Sequence, residues 1–466
     1  MIRGEAIMAR QRGLGWSVNT WAWAVVSAVL AVSVALSISG GVWILASVIL
    51  VAVCGLLAGS RAWVLGLTYL AILLGSSFDP SATGAAFYLR FVMYGVLIVW
   101  SLFVVGRARN LSLLEGIFYT AAGLFCIIGL ISISWSIAPG LSAARTIGLA
   151  LLITAGMASS VSNWTDLSRI RSDLKVLGLI SVVVGATNLV AMLVSDSSLL
   201  YSADRFRGVL QNPNTTGVIV AFALPIVLGM MYMDRARRYV WTAGGFILLL
   251  SLGHSQSRGG IVAALFGCVA VLILIPSRTA RRYLMIAAGV AIAVLIVVIL
   301  LPDVLPGSLQ ELAARFRGEG KAQGGSGRLA AWSLATEIWV QRPWLGWGFG
   351  TVELSFGVRS VEIQQVFVGL HPHNAFLETL LDIGVLGLSA LSAALLAAIR
   401  AMKNARRDPV VATLTGCVAS GATLMFVESG LTSAGSILGM FFWLLAAALV
   451  TGSALIDSRQ EASTRS

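Results

Sequence analysis

The sequence predicts an all-α polytopic transmembrane helix bundle of about 12–14 spans, with one large segment on the outer side. Three observations predict it. The 466 residues are 58% hydrophobic and only 11% charged, where a soluble domain carries roughly 25% charged residues. Apolar runs of about 20 residues, the length that crosses a bilayer core, recur along the whole chain. Lys and Arg alternate between successive connections. The same composition excludes a soluble globular protein and a disordered chain, whose signature is the reverse.

Candidate spans fall at 19–38, 41–59, 62–78, 87–106, 113–133, 143–161, 174–194 and 214–233. They continue at 239–254, 259–276, 283–302, 375–400, 409–428 and 435–455. The first run begins near Trp21 and is long enough to span, which predicts a retained helix and no cleavable leader. Of the 32 Lys and Arg, 21 lie in connections on one side, from Arg3, Arg10 and Arg12 to Arg459 and Arg465. The positive-inside rule makes that side cytoplasmic and puts both termini there. The net charge of +12 is thus a feature of membrane topology, and no nucleic-acid partner is expected. Cys54, Cys126, Cys268 and Cys417 lie in apolar runs without CxxC spacing and read as buried hydrophobes.

The chain divides into N-terminal transmembrane helices (1–301), a periplasmic loop with amphipathic helices (302–374), and C-terminal transmembrane helices with a cytoplasmic tail (375–466). Within the loop, Leu329, Trp332, Leu334, Ile338 and Trp339 recur near helical spacing and predict a helix along the outer membrane surface. The preceding "GEGKAQGGSG" lacks P-loop spacing.

Positive charge is selected against in short translocated connections, so the outward basic residues are informative. Arg258 stands in "SQSRGG", a candidate anion clamp whose glycines would let a ligand approach the backbone; a snorkelling arginine at a helix end is an equal alternative. Arg328 opens the amphipathic segment, and Arg205 and Arg207 lie in "RFRGVLQNPNTTG". Three parts of the outer face therefore offer arginine, as phosphate binding would require. In the same run Asn212 or Asn214 is a plausible helix cap, with Pro213 pre-set for the first turn, and contact to a sugar is the functional alternative. Arg90 and Arg145 fall in or near spans, where ionisable groups are costly and usually paired or functional.

His371 and His373 occur as "HPHN" just before a span. An interfacial histidine can act as a general base near neutral pH, and Asn374 could orient it or the substrate. A zinc site would need Glu378 and Asp382 to complete it, and no metal is expected.

The ordered strings "SRGG", "GRLAAWSLATEIWVQRPWLGWGFGT" (327–351) and "HPHNAFLETLLDIGVLGL" resemble the O-antigen ligase and polysaccharide polymerase superfamily of bacterial inner-membrane glycosyltransferases. The resemblance covers about residues 200–390, and "SISWSIAPGLSAARTIG" (132–148) looks like the family's outer turn. It implies a metal-independent, inverting GT-C-type transferase without cofactors, acting at the periplasmic face on a glycan carried by undecaprenyl diphosphate. By motif, Arg258 and Arg328 would bind the diphosphate, with Arg205 and Arg207 as further anion ligands. His373 would be the catalytic histidine, supported by His371, Asn374, Asn212 and Asn214.

Two acceptors fit this chemistry: lipid A core, for a ligase, or another lipid-linked repeat unit, for a polymerase. The single large outer segment favours the bulky acceptor. A transporter or lipid flippase is the alternative of another class. It predicts internal repeats and midplane ionisable groups, whereas the suggestive residues cluster at one face.

Overall fold

The computed structural model describes residues 61–77, 80–101, 109–162, 164–194, 200–202, 205–275, 324–356 and 371–465, with single positions at 282 and 289. The spans expected at 19–38 and 41–59, that expected at 283–302 apart from position 289, and residues 302–323 and 357–370 of the expected outer loop lie outside the described residues.

Among the described residues the regular structure is helical apart from a pair of two-residue strands, Tyr201–Ser202 and Arg205–Phe206, and an isolated bridge between Ser77 and Leu210. Leaving aside the single turn Val352–Ser355 and three short 3-10 helices, the helices run α1 Arg61–Gly75, α2 Pro80–Val99, α3 Leu113–Ile131, α4 Pro139–Ser162, α5 Leu167–Val194 and α6 Pro213–Met233. After these come α7 Arg238–Ser255, α8 Arg258–Leu274, α9 Gly324–Val340, α10 Ala375–Ala401, α11 Pro409–Met425 and α12 Ile437–Arg465. Except for α9, each overlaps an expected span. Six are long and apolar enough to cross a membrane: α3, α4, α5, α6, α10 and α12. In α1, α2, α8 and α11 the apolar stretch is shorter.

Burial separates the centre from the rim. The apolar window of α12 is 100% buried and that of α6 78%, against 33% for α5. A helix that is hydrophobic all round belongs inside, and α6 and α12 meet there through stacked Phe222 and Phe441, with centroids 4.8 Å apart. Ile117, Leu124 and Ile127 of α3 and Phe246, Leu249 and Leu250 of α7 stay exposed, as lipid-facing residues would.

Without a hydrophobic drive between helices in lipid, close packing relies on small residues. The α6, α8 and α11 group shows this. A Cβ on Gly229 would fall 1.9 Å from Thr413 Oγ1, and one on Gly267 would fall 2.0 Å from Ser420 Oγ. Ser420 also donates to the carbonyl of Ala263 across the contact (3.0 Å).

Helix starts follow local chemistry. Asn212 caps α6 by accepting from Asn214 N (2.8 Å), with Pro213 in the first turn. Asp408 and Pro409 do the same for α11, and Ser112 and Glu115 form a reciprocal capping box on α3.

Candidate functional site

The site is assembled where α10 breaks. Ile383 and Gly384 leave helical geometry, with Gly384 at φ +63°, so the carbonyls of Leu381 and Asp382 lose their helical partners. They accept instead from Trp347 N and Gly348 N, both at 2.8 Å. Irregular backbone inside a membrane bundle survives only where such groups are re-satisfied. The "GWGFG" run has the backbone freedom to reach them. Gly346, Gly348 and Gly350 all have positive φ, and a Cβ on Gly346 would lie 2.5 Å from Asp382 backbone. Asp382 anchors the next turn, its Oδ1 accepting from Thr351 N (2.9 Å) and Val352 N (3.1 Å).

The "SISWSIAPG" turn docks on the same run. Trp135 Nε1 donates to Leu345 O (3.1 Å), Ile137 N to Trp347 O (3.1 Å), and Phe349 N to Ser132 Oγ (2.9 Å). Two separated strings thus form one body. Helix α9 lies against it, burying Ala331, Ala335 and Ile338 with Leu381, Val352 and Phe356. Four of the five expected stripe residues take part in this seam, Ile338 buried in it and Trp332, Leu334 and Trp339 packed against it, while Leu329 is exposed. Ala331 and Ala335 add the small side chains that allow α9 to approach closely.

Helix α9 also fixes the histidine segment. Trp332 Nε1 donates to Pro372 O (3.0 Å). Asn374 caps α10 by accepting from Phe376 N (3.0 Å) and Leu377 N (3.1 Å) and reaches Phe426 O (3.4 Å). Between these anchors His373 is held at φ +49°, a left-handed conformation that costs a residue with a Cβ roughly 1–2 kcal/mol. The other non-glycine residue at positive φ among those described is Gln256, two positions before Arg258. Strained backbone of this kind clusters at functional sites.

His371 and His373 face different carboxylates. His371 Nε2 lies 3.4 Å from Glu353 Oε1 and its Nδ1 3.9 Å from Glu378 Oε1. Glu353 is bonded by Arg145 Nη2 (2.8 Å), and Glu378 accepts from Gly430 N (3.1 Å). Arg145 therefore has a partner from the 302–374 segment. Among the described residues no group of three or more His, Cys, Asp or Glu could hold a metal ion.

His373 belongs to a second cluster, centred on Glu428 in the α11–α12 connection. Glu428 lies 3.9 Å from His373 Nδ1 and 3.9 Å from Arg328 Nη2, and its side chain is 14% exposed. Arg205 is held nearby. It donates from Nη2 to Asn214 Oδ1 (2.8 Å) and to Ser255 O (3.0 Å), and its charge acts on Glu428. Arg258 is the first residue of α8. The next residue, Gly259, abuts Val427, so Arg258 starts its helix beside the Glu428 segment. Arg207 turns to Gln211 O (3.3 Å).

The glycines of "SRGG" serve packing: a Cβ on Gly260 would lie 2.5 Å from Gly217 Cα, and one on Gly259 2.9 Å from Val427 Cγ2. The smallness of Gly260 lets α6 and α8 cross closely, and that of Gly259 admits the α11–α12 connection.

Burial pushes the Glu428 carboxyl up to about 7, against the opposing pull of Arg328 and Arg205. His373 is pushed down to about 4 by burial, with Arg328 and His371 adding to the shift. At neutral pH His373 is thus a neutral imidazole able to take a proton. When it titrates, Glu428 is already protonated and offers no counter-charge.

Glu428, Glu353 and Arg145 complete these clusters, and of them sequence reasoning singled out only Arg145. A cavity of about 150 Å³ adjoins the second cluster, with Asn212, Asn214 and Glu428 in its wall.

No curated protein matches the chain. Residues 243–392, about a third of the chain, match the family model described as O-antigen ligase. That stretch contains Arg258, Arg328, His371, His373 and Asn374 together with the α10 break, and the match supports the chain's place in the O-antigen ligase and polysaccharide polymerase superfamily.

Proposed function

We propose that the protein is an O-antigen ligase. It moves a glycan from undecaprenyl diphosphate to a hydroxyl of lipid A core at the periplasmic face of the bacterial inner membrane. The observation that carries this reading is the meeting of Arg328 and His373, 45 positions apart in sequence, at Glu428 beside Arg205. Cations next to a neutral imidazole are what this displacement requires.

In the proposed step the acceptor oxygen bonds to the anomeric carbon as the bond from that carbon to the diphosphate oxygen breaks, inverting the centre. The acceptor proton passes to His373, and the departing diphosphate carries the electron pair. Arg328, Arg258 and Arg205 stabilise its growing negative charge, and removing one donor of this kind typically costs about 10²–10³ in rate. Arg328 helps to hold the imidazole pKa down. A bound diphosphate offsets that charge and raises His373 toward neutrality, where a general base is most effective.

The reading is tested by a gel of surface polysaccharide and lipid-linked intermediates from a deletion strain complemented with wild type or His373→Ala. A ligase leaves full-length chains on the carrier and bare lipid A core in the deletion. If the deletion leaves only single repeat units, the protein is a polymerase. Full complementation by His373→Ala would remove the proposed base.

A further inference from the structure

The cavity beside Glu428 lies between the end of α1, the first turn of α6 and the α11–α12 connection. Its volume is about 150 Å³, and its polar wall comprises Ser76, Asn212, Asn214, Thr215, Ser429 and Ser436 in addition to Glu428. Resting on the transferase reading, we infer that this cavity is a subsite for one sugar ring of the lipid-linked glycan, the ring bonded to the diphosphate.

Size, chemistry and position each support this. A cavity of about 150 Å³ is of the scale of a single sugar ring. Amides, hydroxyls and a carboxylate supply both donors and acceptors, matching the edge of a polyhydroxylated ring. Val218, Ile437 and Leu438 offer apolar surface to its C–H groups. Ser429 Oγ is buried with no hydrogen-bond partner, and a ligand hydroxyl would supply one.

The lining contains a carboxylate and no Lys or Arg, so the phosphates themselves are disfavoured here. They belong with the cations next door. Two lining residues connect the spaces. Asn214 gives its Oδ1 to Arg205 and so presents N–H groups, while Glu428 is shared with Arg328 and His373. A ring in the cavity would therefore have its diphosphate-bearing carbon beside the arginines and the imidazole.

The experiment uses full-length protein in lipid nanodiscs. Binding is measured for undecaprenyl diphosphate and for undecaprenyl diphosphate bearing one glucose, galactose or N-acetylglucosamine. Wild type should prefer at least one sugar-bearing lipid by tenfold or more. Thr215→Leu, which fills the cavity and replaces none of the charged residues, should abolish that preference while still binding the bare diphosphate. Ser429→Ala, which removes a single unpaired hydroxyl, should reduce the preference several-fold. A wild type without preference, or a preference that survives Thr215→Leu, overturns the subsite and leaves the transferase reading standing. If wild type binds none of these lipids, the transferase reading fails and the subsite with it.

Discussion

Glu115, at the end of α3 away from the site, and Glu428, in the α11–α12 connection, are both mostly buried carboxylates beside an arginine. Glu115 is fully satisfied. It is bridged by the Arg109 guanidinium and accepts from Ser112 N (2.9 Å), Ser160 Oγ (3.1 Å) and Thr451 Oγ1 (2.8 Å), which ties α3, α4 and α12 together. Glu428 has Arg328 and His373 at 3.9 Å, both outside hydrogen-bonding distance, and a cavity at its side. A buried charge with every lone pair occupied is a structural staple. One whose neighbours stand off is poised for something else to enter, and the difference lies in distances that composition cannot reveal.

The largest effect expected from this contrast is at Glu115. Glu115→Ala leaves Arg109 without its counter-ion and should cost about 3–5 kcal/mol, with catalysis per folded molecule unchanged. Thermal unfolding in detergent reads it, and an unchanged midpoint would show that the network is no staple. The mirror experiment is Arg328→Ala. Arg328 is 34% exposed, so stability should move little, whereas transfer should fall about 10²–10³-fold. Arg258→Ala should behave alike. Retained activity in either would remove that arginine from the diphosphate site.

The bundle itself was legible in the sequence because spans are written in apolar length and in the alternation of Lys and Arg, neither of which depends on tertiary context. The candidate site was legible where a residue type is costly in its place. An arginine on the outer side, or a histidine pair at a span end, stands out against its background. Arg145 was visible for that reason, but its partner Glu353 was not, since a carboxylate in a polar outer loop has an innocuous reading. Glu428 was missed because "FVESGL" contains one acidic residue in a short connection, and only the fold brings it to Arg328 and His373. The α10 break was signalled faintly by Asp382 and Gly384 inside an apolar run. A span with an acidic residue and a glycine two positions apart needs backbone partners from elsewhere, and the glycines at 346, 348 and 350 were the place to look.

The contrast can be sharpened at Glu428. Its folded pKa of about 7 lies above the ordinary glutamate value near 4.3, so the native state binds the proton more tightly than the unfolded chain. The stability this contributes is fully present below about pH 4, declines as pH rises, and is gone above 7. Glu428→Gln removes the slope. The variant should match wild type near pH 4 and exceed it at pH 8, by at most roughly 4 kcal/mol at 1.36 kcal/mol per unit. Unfolding midpoints measured across that window test the sign, and parallel curves would mean that burial does not govern this carboxyl.

The smallest effect isolates strain from chemistry at His373. The residue sits at φ +49°, held there by the Trp332 bond to Pro372 and by the Asn374 cap. Ala and Gly at this position both lack the imidazole, so both should lose transfer to the same extent. They differ in the Cβ, which the left-handed conformation penalises by roughly 1–2 kcal/mol, partly offset by the greater chain entropy that glycine surrenders on folding. His373→Gly should therefore be about 1 kcal/mol more stable than His373→Ala while remaining equally inactive. Equal stability would mean that the segment relaxes once the imidazole is gone. The left-handed backbone would then be a consequence of the side chain's contacts with Glu428 and Arg328 rather than a conformation imposed by the flanking anchors.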